Sequence, residues 1–327
     1  MFKYIKKFIN SLIRNLPTFI IRYLQQRFVY EPIIKYKNIR PVRPPLFDTV
    51  FFEVRTLCNE KCEFCSASIH NDIRSDRTMS FNLYKKVILQ LKDIKFTGRI
   101  AFHVNNEPLL FNDLSNFVKV AKQLLPDTNI QILSNGKSLT LDKASELLIS
   151  GISELSINHY MKDLRDKIPR KYYQIVNQII PQYYNFNEIE ILGIGKNYIN
   201  PNAKFRFYFT KRLRSSILTS RGGTAPNKKN PDKVPRGFCQ YPFTQFNITT
   251  NGSVSQCCCD VQFKYPMGNV NDDTLLNIWN NKSFNQLRND LLKGNRENNT
   301  LCRQCDFYGV KRSPDTYFGK YFFYVTQ

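Results

Sequence analysis

Three closely spaced cysteines constrain this chain more than any other feature. Cys58, Cys62 and Cys65 are separated by three and then by two residues. The apolar run over residues 48–55 predicts a buried strand, which places the cysteines on the loop after its carboxyl end. A structural zinc site normally takes four protein ligands, whereas iron–sulfur clusters are held by cysteine thiolates. Three thiolates on one short loop therefore predict a four-iron cluster with one iron left open.

This spacing, with the aromatic Phe64 before the last cysteine, resembles the signature of the radical S-adenosylmethionine (SAM) superfamily. The resemblance implies a [4Fe-4S] cluster whose open iron chelates the amino and carboxylate groups of SAM. It also implies that SAM is split to a 5′-deoxyadenosyl radical, which takes a hydrogen atom from the substrate. The alternative is a zinc site that shares Cys62 and Cys65 with a later CxxC pair, and it would leave Cys58 without a role.

All nine cysteines fall into two groups with the spacing of metal ligands. An odd number in this layout argues against a secreted disulfide framework and predicts reduced thiolates in the cytoplasm. The net charge of +22 favours acidic partners, such as phosphorylated or nucleotide-linked small substrates and membrane surfaces. No Lys/Arg-rich block with interleaved aromatic residues is present, so a nucleic-acid partner is not expected.

The pattern of residues 1–30 predicts an amphipathic helix, because apolar residues recur at helical spacing. The helix is expected to be basic, because no acidic residue precedes Glu31. Pro17 interrupts the apolar stripe, which is too short to span a bilayer. No small-residue cleavage site follows, which argues against a signal peptide. Two interpretations remain open: peripheral contact with an anionic membrane, or packing against the chain's own barrel. The four prolines within residues 31–47 predict an extended linker.

From residue 48 onward, strand-like and helix-like segments alternate, which predicts an α/β fold with a parallel sheet. The helix-like segments are 80–94, 112–125, 140–150 and 162–183. The strand-like segments are 48–55, 99–104, 129–133, 152–158, 187–192 and 204–210. Six strands, two short of a closed eightfold barrel, predict a partial (β/α)6 TIM-like barrel over 48–210, with working loops at the strands' carboxyl ends. A linker (211–238), a cysteine-rich unit (239–310) and a C-terminal tail (311–327) complete the predicted organisation.

The second strand ends in the sequence Asn105-Asn106-Glu107-Pro108. The superfamily commonly carries Gly-Gly-Glu-Pro here, and the resemblance gives Glu107 the role of accepting a hydrogen bond from the SAM amino group. Asparagine replaces both glycines, and it tolerates left-handed backbone better than most residues. The alternative is a plain turn in which Pro108 starts a helix.

Two further strands carry polar side chains on one face. Ser156 and Asn158 alternate with an apolar residue, so both point to the same side of the fourth strand. By resemblance to the superfamily, they contact the SAM ribose. On the sixth strand, Arg206 and Tyr208 are expected to face the barrel lumen, where Arg206 meets the substrate or SAM or, alternatively, pairs with a neighbouring carboxylate.

The C-terminal unit has its own cysteine pattern, and Asn251-Gly252 between apolar alternating runs predicts a hairpin within it. The unit resembles the SPASM/Twitch auxiliary domain, in a version that implies a single auxiliary [4Fe-4S] cluster. The positions that match this pattern are Cys239, Cys257, Cys302 and Cys305. The neighbouring Cys258 and Cys259 leave open which of the three adjacent thiols is the ligand. A zinc ribbon is the alternative for this unit.

The layout of the four auxiliary cysteines is similar to that of the aminocyclitol dehydrogenases of aminoglycoside biosynthesis. This resemblance implies oxidation of an alcohol on a sugar, cyclitol or related small molecule, with the auxiliary cluster as electron acceptor and flavodoxin or ferredoxin as electron donor. Arg221 is a candidate to deprotonate or orient the hydroxyl, or else is an ordinary linker residue.

Two other function classes remain open. One is a SPASM-type peptide-modifying enzyme, although residues 1–47 are too short for the peptide-binding unit that usually precedes such barrels. The other is a non-catalytic iron–sulfur or zinc protein that docks on a membrane or a partner.

Overall fold

The computed structural model describes residues 46–68, 70, 72–195, 197–230, 234–235 and 239–307, together with residues 17, 20 and 23. Three predicted segments lie wholly or mostly outside the described residues. They are the helix over 1–30, the linker 31–47 and the tail 311–327. In the described part of the chain, no helix is both long and apolar enough to cross a membrane.

The described residues form one nine-stranded sheet with the order β5-β6-β4-β3-β2-β1-β7-β8-β9. The first seven strands in chain order pair in parallel, and β8 and β9 are added antiparallel. The strands are β1 (Thr49–Phe52), β2 (Arg99–Ala101), β3 (Asn129–Ser134), β4 (Glu154–Met161), β5 (Ile189–Leu192), β6 (Phe205–Leu213), β7 (Gln245–Ile248), β8 (Ser253–Ser255) and β9 (Pro266–Asn269).

Helices cover the outer face of the parallel strands, as predicted for an α/β barrel. They are α1 (Phe81–Asp93), α2 (Leu114–Leu124), α3 (Leu141–Ser150), α4 (Arg170–Gln174), α5 (Tyr241–Thr244), α6 (Leu275–Trp279) and α7 (Lys282–Lys293). The Ser80 hydroxyl caps α1 by accepting a hydrogen bond from Leu83 N at 3.2 Å. Tyr84 on α1 packs edge-on against Phe52 of β1, with ring centroids 5.0 Å apart. Alternate strand positions face the other side of the sheet and form the lumen.

The order of the last two barrel strands differs from a regular (β/α)6 arrangement. β6 lies between β4 and β5, and residues 205–213 provide eight register partners for β4. β5 is only four residues long and forms the sheet edge. The described residues of the connection 193–204 contain no helix, so β5 and β6 lack the helical crossover of a regular (β/α)6 arrangement. The longer strand takes the inner position because it satisfies more backbone hydrogen bonds there.

The predicted helix over 162–183 is also wrong in its length. α4 spans only five residues and passes into a π-helical turn at Ile175–Ile179 and a 3-10 turn at Ile180–Gln182. Pro181 lies within the 3-10 turn, where the helical segment ends, because it lacks the backbone N–H that a continuing helix needs.

The hairpin predicted at Asn251-Gly252 is confirmed between β7 and β8. Gly252 has a φ of 85°, and Thr249 N donates to Ser253 O at 2.9 Å. β7 pairs in parallel with β1, so the C-terminal unit continues the sheet of the barrel. This pairing brings the C-terminal cysteines beside the strand that leads into the first cysteine loop.

Candidate active site

A cavity of about 190 Å³ lies at the carboxyl ends of the barrel strands. Cys58, Cys62 and Cys65 all line it, and Phe64 lies beside them. The Phe64 ring is buried and packs 5.7 Å from the ring of Tyr160 at the end of β4. The loop after β1 therefore directs three thiols into one space, at the edge of the sheet where the working loops were expected.

Glu60 anchors the cysteine loop from within. Its buried carboxylate accepts from Arg214 Nε at 2.8 Å and lies 3.3 Å from Lys137 Nζ. Lys137 Nζ also donates to the carbonyl of Asn59 at 3.0 Å, which ties the cysteine loop to the loop after β3. Glu60 was not predicted as a site residue. The signal that could have revealed it is an acidic residue among the cysteines of a very basic chain.

The donor set of this loop fits a [4Fe-4S] cluster with one open iron. Burial raises the pKa of Cys58 to about 12 and raises the pKa of Cys62 as well. Buried thiolates need a compensating cation, and iron would supply it while displacing the thiol protons. The amide of Asn135 lies 3.9 Å from Cys58 Sγ and can donate to that sulfur.

Glu107 lines the same cavity and is 2 % exposed. Its carboxylate accepts from Ser134 Oγ at 2.7 Å, from Asn135 N at 2.7 Å and from Leu109 N at 3.1 Å. Burial raises its pKa, and these three donors oppose the shift. Glu107 thus joins the loop after β2 to the loop after β3, a structural role that the motif alone did not predict. Its role toward SAM remains a prediction.

Of the two polar residues predicted to contact SAM from β4, only Asn158 lines the cavity. Asn158 lines the cavity and accepts from Arg212 Nε at 2.9 Å. Ser156 does not line it, and its hydroxyl donates to Glu154 at 2.7 Å. Arg206 lies 3.5 Å from a carboxylate oxygen of Glu190, which agrees with the second of its two interpretations.

Arg221 lies between the first cysteine loop and the C-terminal unit. Its Nη1 is 3.7 Å from Cys65 Sγ, and its Nη2 donates to Asn105 Oδ1 at 2.6 Å and to the carbonyl of Cys258 at 3.3 Å. Burial lowers the pKa of Arg221, but the surrounding thiols outweigh that effect and raise it. The guanidinium is therefore a fixed cation on the cavity wall.

The turn around Arg221 requires glycine. Gly222 and Gly223 have φ values of 65° and 81°, a region in which L-residues are strained. A Cβ on Gly222 would lie 2.3 Å from a methyl group of Leu301, just before the late CxxC pair. Ser220 Oγ also donates to Gln304 O at 2.7 Å. The segment predicted as a linker thus packs closely on the C-terminal cysteine region.

A second, smaller cavity lies in the C-terminal unit. The cysteines that line it are Cys239, Cys257, Cys259, Cys302 and Cys305. The four predicted auxiliary ligands are therefore brought together from distant sequence positions, with Cys259 as a fifth thiol beside them. This donor set fits a fully thiolate-ligated cluster. Because Cys302 and Cys305 line a different cavity from Cys62 and Cys65, the structure contradicts the zinc site that combined these two pairs.

Two family models match the chain. The model of the radical SAM superfamily matches residues 53–183, and the SPASM model, an iron–sulfur cluster-binding domain, matches residues 239–306. A curated relative is the S-adenosyl-L-methionine-dependent 2-deoxy-scyllo-inosamine dehydrogenase of Niallia circulans. It is 27% identical over 266 residues, which cover 81% of this chain and 95% of the relative.

Solved structures show the same fold. The crystal structure of BtrN in complex with AdoMet and 2-DOIA is similar with a TM-score of 0.63 and 27% identity, covering 84% of this chain and 98% of BtrN. An open conformation of BtrN matches with a TM-score of 0.56 and 23% identity, over 80% of this chain and 94% of that one. The likeness thus extends across both cysteine regions.

Proposed function

Because the chain is a radical SAM enzyme with a C-terminal SPASM domain, we propose that it oxidises an alcohol of a cyclitol, with an aminocyclitol as the favoured substrate. The observation that carries this proposal is the position of Arg221, which contacts Cys65 on one side and Cys258 on the other. The curated relative is a dehydrogenase, and its likeness spans both domains. A radical that takes one hydrogen atom removes only one electron from the alcohol, so a second centre must accept the other electron. Arg221 contacts both cysteine groups.

When bound, the first cluster would pass one electron from the external donor to SAM and so supply the 5′-deoxyadenosyl group that takes a hydrogen atom from the carbinol carbon, and the auxiliary cluster would accept the one electron that the substrate then gives up. The hydroxyl proton leaves to solvent, so the products are a ketone, 5′-deoxyadenosine, methionine and one proton. Cys58, Cys62 and Cys65 would hold the first cluster. The auxiliary ligands would be Cys239, Cys257, Cys302 and Cys305.

The remaining cavity residues position the two organic molecules. Glu107 would accept from the SAM ammonium group through Oε2, which among the described residues accepts only from Asn135 N, whereas Oε1 already accepts from Ser134 Oγ and Leu109 N. Asn158 would contact the ribose. Arg221 would orient the substrate hydroxyl rather than deprotonate it, because a guanidinium stays protonated and the nearby thiols favour its charged form.

The test is product analysis after anaerobic reconstitution, with a reductant, SAM and a panel of aminocyclitols, cyclitols, sugars and phosphorylated cyclitols. We expect ketone and 5′-deoxyadenosine in about equal amounts, as the coupled stoichiometry requires. The Cys305→Ala variant should still cleave SAM but form no ketone. Turnover only with peptides would overturn the proposal in favour of peptide modification. Failure to cleave SAM at all would indicate a non-catalytic binding protein.

We also propose that flavodoxin or ferredoxin reduces the first cluster and that residues 1–30 make a peripheral membrane contact in the cytoplasm. The basic composition of this segment supports the second proposal. Deleting residues 1–30 should leave SAM cleavage intact and abolish binding to anionic liposomes. Liposome binding that survives the deletion would contradict the membrane role.

A further inference from the structure

Only one of the two polar atoms of the Asn105 side-chain amide has a hydrogen-bond partner among the described residues. Asn105 is 2 % exposed and lines the first cavity. Its Oδ1 accepts from Arg221 Nη2 at 2.6 Å, whereas its Nδ2 has no hydrogen-bond partner among the described residues. A buried N–H group without a partner costs free energy, so it commonly marks a position that a ligand completes.

The orientation of this amide is fixed by its neighbours. A guanidinium only donates hydrogen bonds, so the amide atom that faces Arg221 must be the oxygen. The backbone carbonyl of Asn105 accepts from Arg74 Nη2 at 2.8 Å, and Arg74 Nη1 is paired with Glu53 at 2.7 Å. Asn105 is therefore held from both its backbone and its side chain. Its Nδ2 is left as a preset donor in a cavity that Arg221 also lines.

We propose that Asn105 is a specificity-determining residue that donates, together with Arg221, to the oxygen on the substrate carbon that is oxidised. This inference rests on the proposed alcohol oxidation. Two donors at one point match an oxygen acceptor and disfavour an ammonium group, which offers no acceptor and is repelled by the guanidinium. The site thus selects a hydroxyl over an amine at the reacting carbon, even in a substrate that carries both.

The sharpest variant is Asn105→Asp, which keeps an acceptor for Arg221 and replaces the Nδ2 donor by a charged oxygen that cannot donate to the substrate oxygen. Asn202→Asp, in an exposed turn, is the matched control for the same chemical change. Thermal unfolding of both variants checks that the fold is retained. The measurements are SAM affinity by equilibrium dialysis, binding of the alcohol to the SAM-loaded, unreduced enzyme, and the kcat and KM of ketone formation.

For Asn105→Asp we expect the alcohol to bind about tenfold more weakly and its KM to rise by about tenfold, which is the effect of one lost hydrogen bond. The affinity for SAM should stay within about twofold of the wild-type value. We also expect more 5′-deoxyadenosine than ketone, because a misplaced alcohol uncouples SAM cleavage from oxidation. Weaker SAM binding with unchanged alcohol binding would assign the donor to the SAM carboxylate and overturn the inference. Unchanged binding of both ligands would also overturn it.

The binding assay separates this inference from the proposed function. If the wild-type enzyme binds the alcohol without oxidising it, the proposed reaction fails, yet the variant still reports on Asn105. If the wild-type enzyme binds no alcohol at all, both are overturned.

Discussion

Replacing Glu107 by glutamine should weaken SAM binding and also loosen the loops around the first cavity. The carboxylate accepts hydrogen bonds from Ser134 Oγ, Asn135 N and Leu109 N at 2.7, 2.7 and 3.1 Å. Glutamine offers only one acceptor atom and places an NH2 group where the second oxygen was. Since all three neighbours are used as donors, at least one of them would lose its acceptor.

The magnitude follows from these contacts. One buried donor left without an acceptor costs about 1–3 kcal/mol of unfolding free energy. A hydrogen bond between the carboxylate and the SAM ammonium is worth about 1.5–3 kcal/mol, because one partner is charged. At about 1.4 kcal/mol for each factor of ten, SAM binding should weaken by roughly 10- to 150-fold.

Equilibrium dialysis with labelled SAM and calorimetric unfolding of the reconstituted protein measure the two effects separately. Ser134→Ala is the matched control, because it removes one hydrogen bond to the carboxylate, together with the one from Gly136 N to Ser134 Oγ at 2.8 Å, and leaves the carboxylate charge in place. This control should lose stability while its SAM affinity remains near the wild-type value. If Glu107→Gln bound SAM as tightly as the wild type, the assignment of Glu107 to the SAM ammonium would be refuted.

Three further predictions concern the clusters and pH. Replacing the three cysteines of the first loop by alanine should lower iron from about eight to about four per chain, as two independent four-iron clusters require; about four in both proteins, or zinc, would contradict this. Cys257→Ala should remove the auxiliary iron, whereas Cys258→Ala should retain it, because Cys257 lines the second cavity and Cys258 does not; iron loss only from Cys258→Ala would reverse the assignment. Burial raises the pKa of Glu53 from 4.5 to about 7, although Arg74 opposes the shift. The protonated carboxyl therefore contributes unfolding free energy that is fully present below pH 4.5 and is lost as the pH rises through about 7. The loss is about 3 kcal/mol at most, and urea unfolding at pH 5 and pH 8 should show a smaller difference for Glu53→Gln than for the wild type; an equal difference would exclude Glu53 as its source.

The elements that local patterns determine were predicted well. The segment 80–94 became α1 (Phe81–Asp93), and the strands β1 to β6 formed near their predicted positions. Strand order was not predictable, because β5 and β6 both alternate apolar and polar residues, and the eight-residue pairing of β6 with β4 is a contact between segments distant in sequence.

Site residues were predictable where a motif fixes both residue type and direction. Alternation placed Ser156 and Asn158 on one face of β4, but it does not predict which of them reaches the cavity at the end of the strand. Ser156 lies two residues before Asn158, outside the cavity, and its hydroxyl donates to Glu154. Arg221 was named as a candidate, but it lies in a polar segment that predicted a linker, so its contacts could not be predicted. Its position depends on the glycine turn that packs against Leu301, a contact between residues distant in sequence. The unused donor of Asn105 is visible only once the position of Arg221 is known.

The central claim is that the chain oxidises an alcohol by taking the hydrogen atom of its carbinol carbon. The most direct measurement uses an aminocyclitol deuterated at that carbon, with mass analysis of the 5′-deoxyadenosine and of the ketone. We expect one deuterium in 5′-deoxyadenosine for each ketone formed. Ketone formation accompanied by unlabelled 5′-deoxyadenosine would contradict it, as would labelled 5′-deoxyadenosine with no ketone.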